Sequence, residues 1–336
     1  MTKKHEKKIY RFFEMLPGLL VWTLMLSPIW LGLIAPKIII FYITFLTIYW
    51  AYLATRHTYG GLVGYKRHKK EMGMDWLAEC KKLDFSKLPD KATLPNSLDM
   101  VRHFILIPMY SETIEVLKPS FDSLLAQTFP TKQMTLVLTL EEKYSQRLEN
   151  TVREILGENI NKFEDVLFYT HPAGIPNEAK GVAGANRTWG AKNGVGYLKR
   201  KGKNISDYIF TTFDSDSILD PQFIARLTHL YLTNDKRHHK YFSPAVNLFN
   251  NNIWDVPLLM RIEANSIAIA CLSDWVIGDS EFKETFSCYS ASLQTLIDAD
   301  YWDTQLGIDD TIFYWRSFFV RNGDFEGVEH YIPYSA

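Results

Sequence analysis

From residue 103 onward, short apolar runs alternate with stretches of helical periodicity, and this alternation constrains the fold more than any other feature of the chain. The runs HFILIP (103–108), TLVLTL (135–140), DVLFYT (165–170) and DYIFTTFD (207–214) have the length and the β-branched or aromatic content of strands. Between them, residues 114–127 put Leu117, Phe121, Leu124 and Leu125 on one helical face, and residues 146–156 and 179–198 read as two further helices. Strand then helix, repeated, implies a mostly parallel sheet with helices on both faces. The expectation is therefore an α/β domain over residues 100–336.

In such sheets ligands bind beyond the carboxyl ends of the strands. The first strand runs into Pro108, Met109, Tyr110, Ser111 and Glu112; the second into Glu141 and Glu142; the third into His171; the fourth into Asp214, Ser215 and Asp216. Carboxylates gathered on one rim repel one another, so a purely structural edge has little reason to collect them. Asp214 and Asp216, one residue apart after an apolar strand, are hard oxygen ligands of the kind that hold magnesium or manganese. A turn or a helix N-cap ahead of Pro221 accounts for the triplet equally well when it is taken alone.

The N-terminus has a different character. Residues 15–35 and 38–54 are apolar and aromatic without one acidic residue, each about long enough for a ~30 Å hydrocarbon core. Ala35, Pro36 and Lys37 leave room only for a tight hairpin, which predicts two transmembrane helices. Lys3, Lys4, Lys7, Lys8 and Arg11 precede the pair and Lys66, Arg67, Lys69 and Lys70 follow it, against Lys37 alone between them, so both outer ends are expected in the cytosol. The rivals are a cleaved signal peptide and a buried helical hairpin; the second apolar run with its basic flank, and the aromatic residues near the ends, argue against each in turn. Residues 71–83 place Met72, Trp76, Cys80 and Leu83 at helical spacing, as in a helix lying on a membrane surface or packed on the domain. The expected order is a basic cytosolic N-terminus (1–14), two transmembrane helices (15–54), a basic juxtamembrane segment with an interfacial helix and linker (55–99), and the cytosolic catalytic domain. That order implies a multi-pass protein of the inner cell membrane with the lipid bilayer as a partner.

A formal net charge of -1 and a pI near 6.8 supply no basic surplus for phosphate neutralisation, which excludes nucleic acid as the expected partner. Cys80, Cys271 and Cys288 are odd in number, widely spaced and without a C-x-x-C pair, so neither a disulfide framework nor a zinc site is readable.

With these residues in view, the chain over roughly 100–334 resembles the family 2 glycosyltransferases, in the membrane branch of cellulose, chitin and hyaluronan synthases. HFILIPMYSETIEVLKPSFDSLLAQTFP looks like that family's first strand and helix, AKGVAGANR like its lysine-bearing diphosphate segment, FDSD like its D-x-D, and GIDDTIFYWRSFF like its E-D motif. The resemblance implies the nucleotide-diphospho-sugar transferase (GT-A) form of the α/β fold. It implies that Pro108, Tyr110, Glu112, Glu141, Lys180, Asn186 and Asp214 bind a nucleotide-sugar donor, expected to be a UDP-sugar. Asp214 and Asp216 would hold Mg2+ or Mn2+, Asp310 would be the general base, and Arg316 would match an arginine of the E-D segment. A glycan or lipid-linked acceptor completes the expectation.

The chain departs from the pattern in several places. Glu141 or Glu142 stands where the family has an aspartate for the base, and Asp309 where glutamate is common. His171 either faces the donor or caps its strand, with capping the expectation. Between Trp254 and Trp275 the run NSIAIACLSDW reads as membrane-facing or as core, with core the expectation, and Tyr289, Ser290 and Trp302 are candidate acceptor contacts. The Q-x-x-R-W of polymer-making members does not follow Asp310, and the chain ends at Ala336, which reads as a fragment or truncated product. Two other readings stay open: a haloacid-dehalogenase-like phosphotransferase built on Asp214 and Asp216, and a membrane-tethered module that holds a nucleotide sugar without turning it over.

Overall fold

The computed structural model describes residues 3–179, 181–278 and 283–336, which fall into two units, Met1–Thr58 and Tyr59–Ala336. The first unit is helical: α1 (Lys3–Met25), α2 (Ser27–Ile34) and the larger part of α3 (Pro36–Met72). Prolines set the breaks. Pro28 in the first turn of α2 and Pro36 at the head of α3 have no N–H to offer a preceding turn, and the chain bends by 57° between α1 and α2.

Among the described residues, α3 is the one unbent helix long and apolar enough to cross a membrane; α1 and α2 meet that test only when taken together as a bent pair. The first arm of the two-helix hairpin expected over 15–54 is divided at Leu26 into α1 and α2. The second arm continues past residue 54, and α3 runs through the basic stretch to Met72.

The second unit opens with the last turns of α3 and continues with α4 (Trp76–Lys81), then β1 (Arg102–Met109), α5 (Ile114–Leu125), β2 (Met134–Glu141), α6 (Ser145–Leu156), β3 (Asp165–His171), α7 (Ala183–Arg200) and β4 (Tyr208–Thr212). It continues through β5 (Ile218–Leu219), α8 (Phe223–Thr233), β6 (Lys240–Pro244), β7 (Asn247–Leu248), α9 (Leu258–Ile277), β8 (Tyr289–Ser292), α10 (Leu293–Asp298), α11 (Asp309–Val320), β9 (Glu326–His330) and β10 (Tyr334–Ser335). Seven strands form the main sheet in the order β3-β2-β1-β4-β8-β6-β9, parallel throughout except for β8, which runs against both its neighbours. The mostly parallel sheet expected from the alternation is present. A small sheet, β5-β10-β7, lies apart from it.

β1 shows why the sheet is covered on both faces. Its residues are apolar and buried almost throughout, and they alternate in direction: Ile105 and Ile107 join Leu117, Phe121 and Leu148 in one core, Phe104 and Leu106 join Val195, Leu198 and Phe313 in the other. α7 lies unusually close to this second face. A Cβ at Gly190 would overlap Thr139 Oγ1, and one at Gly194 would sit 2.7 Å from the Phe104 ring.

Of the two alternatives for residues 71–83 the packed one describes α4, which is shorter than the stretch: its Trp76 and Cys80 are buried against α8 with the Arg226 guanidinium 4.2 Å over the Trp76 ring. The stretch between Trp254 and Trp275 is not core: of α9 only Ser273 is buried.

The close seat of α7 yields a prediction. Gly190→Ala is expected to lose about 1–3 kcal/mol of stability from overpacking, although alanine is the better helix former. Gly196→Ala, with only the tip of Arg200 nearby, should instead gain up to about 1 kcal/mol; denaturant unfolding of the two variants checks the contrast.

Candidate functional site

β1, β2 and β4 end side by side, and the loops beyond them enclose a cleft of ≈ 310 Å³. Pro108, Tyr110, Glu112, Glu141, Asn186, Asp214 and Asp216 all line it, as do Gly181, Val182 and Ala183 at the approach to α7. Lys180 lies outside the described residues. Glu112 folds back so that its Oε2 accepts the Tyr110 N–H at 2.8 Å, and the Tyr110 ring meets Tyr144 edge-on at 5.5 Å.

The two aspartates expected to hold metal follow β4 in a turn in which the Asp214 carbonyl accepts the Ser217 N–H at 2.9 Å. The turn read for the triplet is thus present. The enclosing walls raise the Asp216 carboxyl above its ordinary value, and the charges of Asp214 and Glu112 push the same way. A divalent cation relieves such a repulsion. Among the described residues no group of three or more His, Cys, Asp or Glu side chains is arranged to hold a metal ion. Two carboxylates suit magnesium or manganese, which take one or two protein oxygens and complete their shells with water and substrate phosphate.

Behind the cleft lies a cation that the sequence reading passed over. Arg187, one turn into α7 and buried, reaches Asp309 Oδ2 at 2.6 Å and Asp310 Oδ1 at 2.7 Å through Nη1, and Asp214 Oδ1 at 2.8 Å through Nη2. Burial alone would lower its pKa; the carboxylates of Asp310 and Asp214 outweigh that and raise it. Gly184 makes the meeting possible, since a Cβ there would lie 2.8 Å from Asp309 Cβ and hold α11 away.

Ser287 closes the arrangement from the other side. Its N–H donates to Asp310 Oδ2 at 3.2 Å and its hydroxyl to Asp214 Oδ2 at 3.1 Å, from a left-handed backbone with φ 47° that a non-glycine residue adopts at a cost. Both oxygens of Asp214 and both of Asp310 are thus engaged. Desolvation pushes the Asp310 carboxyl up to about 6; Arg187 and the Ser287 N–H oppose the rise, while Asp309 and Asp214 add to it. Asp309 and Asp310 do not themselves line the cleft; they connect to its wall through Arg187, Ser287 and Asp214.

The other rim residues divide between cleft and scaffold. Glu141 Oε1 accepts from Asn186 Nδ2 at 2.8 Å and lies 3.1 Å from His171 Nδ1, and the other nitrogen of that ring is 3.0 Å from Glu178 Oε2. Burial would raise the Glu141 pKa, but those two donors outweigh it and hold it low; the Glu141 hydrogen bond correspondingly raises His171 against desolvation. His171 therefore fastens the end of β3 and is not among the residues lining the cleft. Glu142 accepts the Ala173 N–H at 2.8 Å, which leaves Glu141 as the cleft carboxylate of the pair.

Three candidate acceptor contacts are not free to serve. Tyr289 and Trp302 are buried and bonded to each other, Trp302 Nε1 donating to Tyr289 Oη at 2.6 Å, and Ser290 bonds Thr211 within the sheet. Arg316 turns instead to the Ala299 carbonyl and Asp300.

The sequence reading quoted Arg187 in AKGVAGANR without giving it a role. Its one signal is a guanidinium among small residues on a helix that packs closely on a sheet.

No protein-family profile matches the chain, and no curated protein matches it. Solved structures of similar shape exist. One is the mannosyltransferase PcManGT from Pyrobaculum calidifontis in complex with GDP-Man and Mn2+, 12% identical with a TM-score of 0.47, the match covering 85% of this chain and 67% of that one. Another is S. aureus TarS, 13% identical with a TM-score of 0.44, covering 70% of this chain and 36% of that one. TarS 1-349 in complex with UDP-GlcNAc gives 16% identity and a TM-score of 0.42, covering 70% and 58%. This chain thus spans about a third of the TarS structure's length.

Arg187→Ala would leave three carboxylates facing one another without their cation. Losing one partner of a buried ion pair costs about 3–5 kcal/mol, and the half-exposed Asp214 places the expected loss near the lower end. The variant's carboxylates would titrate above their unfolded values, so its deficit should shrink as the pH falls from 7 toward 5. Denaturant midpoints of wild type and variant at the two pH values test the sign.

Proposed function

We propose that the chain is a membrane-associated, inverting glycosyltransferase that moves a sugar from a nucleotide-diphosphate donor, expected to be a UDP-sugar, to an acceptor hydroxyl on a glycan or lipid-linked molecule. The observation that carries this reading is the convergence of Asp214 with Asp309 and Asp310 on Arg187 behind a cleft lined by Asp216, Glu141 and Asn186. Residues almost a hundred positions apart in sequence meet at a point where a donor on one side and a proton acceptor on the other are both supplied.

The assigned roles follow from chemistry. Glu141, oriented by Asn186 and His171, accepts an N–H of the base. Asp214 and Asp216 face the diphosphate, where a divalent cation, when bound, neutralises the charge that develops as the anomeric carbon–oxygen bond breaks. Lys180 is assigned to the same leaving group. The acceptor oxygen forms its bond to the anomeric carbon from the opposite face and gives its proton to Asp310, while the nucleoside diphosphate departs with the bonding electron pair. α3 is assigned as a membrane span, and the positive flank of the apolar run puts the catalytic unit on the cytosolic face.

Membranes containing the chain should release nucleoside diphosphate from one nucleotide sugar in a screen with magnesium or manganese. Asp216→Ala is expected to abolish metal-dependent release, and Asp310→Asn to keep donor binding while transfer falls by about 10²–10⁴. Full activity in Asp310→Asn would remove that residue as the base; tight donor binding with no release under any condition would favour a binding module.

The raised Asp310 carboxyl gives the reaction a pH signature. A base with a pKa of about 6 is protonated and inactive below it, so the rate should fall on the acid side of pH 6 and level off above. The rate profile from pH 5 to 8 at saturating donor checks this, and a limb near the ordinary aspartate value of about 4 would contradict it.

A further inference from the structure

At the end of β3 the buried ring of His171 stands between two carboxylates, with Glu141 Oε1 3.1 Å from Nδ1 and Glu178 Oε2 3.0 Å from Nε2. A neutral imidazole has one N–H and one lone pair, so it donates to one of these oxygens and turns its lone pair on the other. Only the imidazolium donates to both. The two carboxylates serve different walls of the cleft. Glu141 lines it from the end of β2, whereas Glu178 lies on the segment that leads from β3 toward Gly181, Val182 and Ala183, which line it at the approach to α7.

That segment is also tied through its backbone. The Ala173 N–H donates to Glu142 Oε2 at 2.8 Å, and the Ala179 N–H donates to the Thr304 carbonyl at 2.8 Å. Gly174, Pro176 and Asn177 between these ties are exposed, so Glu178 is where side-chain charge fastens the segment to the sheet. The neighbours of the ring can be named in turn. β2 brings Glu141, whose Oε1 also accepts from Asn186 Nδ2 at 2.8 Å, and Glu142, spent on Ala173; α7 brings the Trp189 ring, edge-on at 6.0 Å. The turn that carries Thr304 holds Asp303, whose Oδ1 accepts the Gln305 and Leu306 N–H groups at 2.7 and 3.1 Å. The hydrogen bond to Glu141 raises the pKa of the ring, burial opposes the rise, and Glu178 adds to it.

We infer that His171 is a positioning residue of the donor site: its imidazolium latches residues 172–179 to Glu141, and loss of the ring proton frees Glu178 and weakens donor binding. The inference rests on the reading of the cleft as a nucleotide-sugar site. Glu141 keeps Asn186 as a second donor when the ring is neutral, so Glu178 is the partner that lets go. The sign follows from the direction of the shift. The latch is complete below the ordinary imidazole value of about 6.5 and is lost as the pH climbs through the elevated one. This limb lies on the alkaline side, opposite to that of Asp310.

The test uses the full chain in detergent micelles with isotopically labelled histidine rings, beside Glu178→Gln. An amide turns either its oxygen or its N–H to the ring, so this variant keeps the latch whether or not the ring is protonated. The His171 resonance is assigned by its loss in His171→Gln or by its shift in Glu178→Gln. It should titrate above about 6.5 in the wild type and lower in Glu178→Gln. The Kd values of UDP and of GDP with magnesium are then measured on both chains from pH 6 to 9.5. For whichever nucleotide binds, wild-type affinity should fall about tenfold relative to Glu178→Gln across the midpoint of the ring, the order expected of one charge-assisted hydrogen bond. Ionisation of the nucleotide itself cancels in that ratio. A ring that titrates at or below about 6.5 overturns the latch. A high-titrating ring with the same pH profile of Kd in both chains makes His171 a strand cap and overturns its positioning role. If the ring titrates high and neither nucleotide binds at any pH, the donor-site reading has failed, and the positioning role falls with it.

Discussion

The buried guanidinium of Arg187 is the interaction on which the candidate site depends. Like charges at hydrogen-bonding range do not collect in a low-dielectric interior unless a cation holds them. Here one side chain binds Asp214 after β4 together with Asp309 and Asp310 at the head of α11. Ser287 adds two donors from strained backbone. The carboxylates after β4 and at the head of α11 thus belong to one electrostatic unit, and a change in charge at Asp214 is felt at Asp310 through a shared partner.

That unit is positioned by backbone closeness. α7 carries Asn186 and Arg187 into the site because Gly190 and Gly194 let it lie against β1 and β2, and because Gly184 lets α11 approach its first turn. The parallel order β2-β1-β4 then brings the ends of strands far apart in sequence to one edge. The rigid sheet sets the distances, and the loops supply the chemistry. At the other end of the unit the same device recurs, with Gly60 and Gly64 of α3 admitting α9 at close range.

Much of the fold was legible because parallel strands buried on both faces leave an unmistakable mark, a run such as FILIP or TLVLTL with no charged interruption. The strands after β4 were harder. β8 runs against its neighbours and is rich in serine, whose hydroxyls bond Thr211 through Ser290 and the Thr295 N–H through Ser292. The sequence left the cover of α4 and α9 open for one reason: apolar spacing states that a face must be covered, never by what. Trp76 and Cys80 went inside against α8, whereas Leu259 and Ile269 stayed out.

By itself the sequence determined the alternation that makes a parallel sheet, the rim to which Glu112, Glu141, Asp214 and Asp216 are delivered, and the apolar length of α3, since all three follow from local pattern and strand polarity. Only the tertiary structure decided that Asp309 and Asp310 stand behind the same wall as Asp214, that Arg187 joins them, that His171 is scaffold, and that Tyr289 and Trp302 are core. Those outcomes turn on which groups meet across long loops, and a meeting of that kind is fixed by packing and charge compensation between distant segments. No periodicity within one segment encodes it.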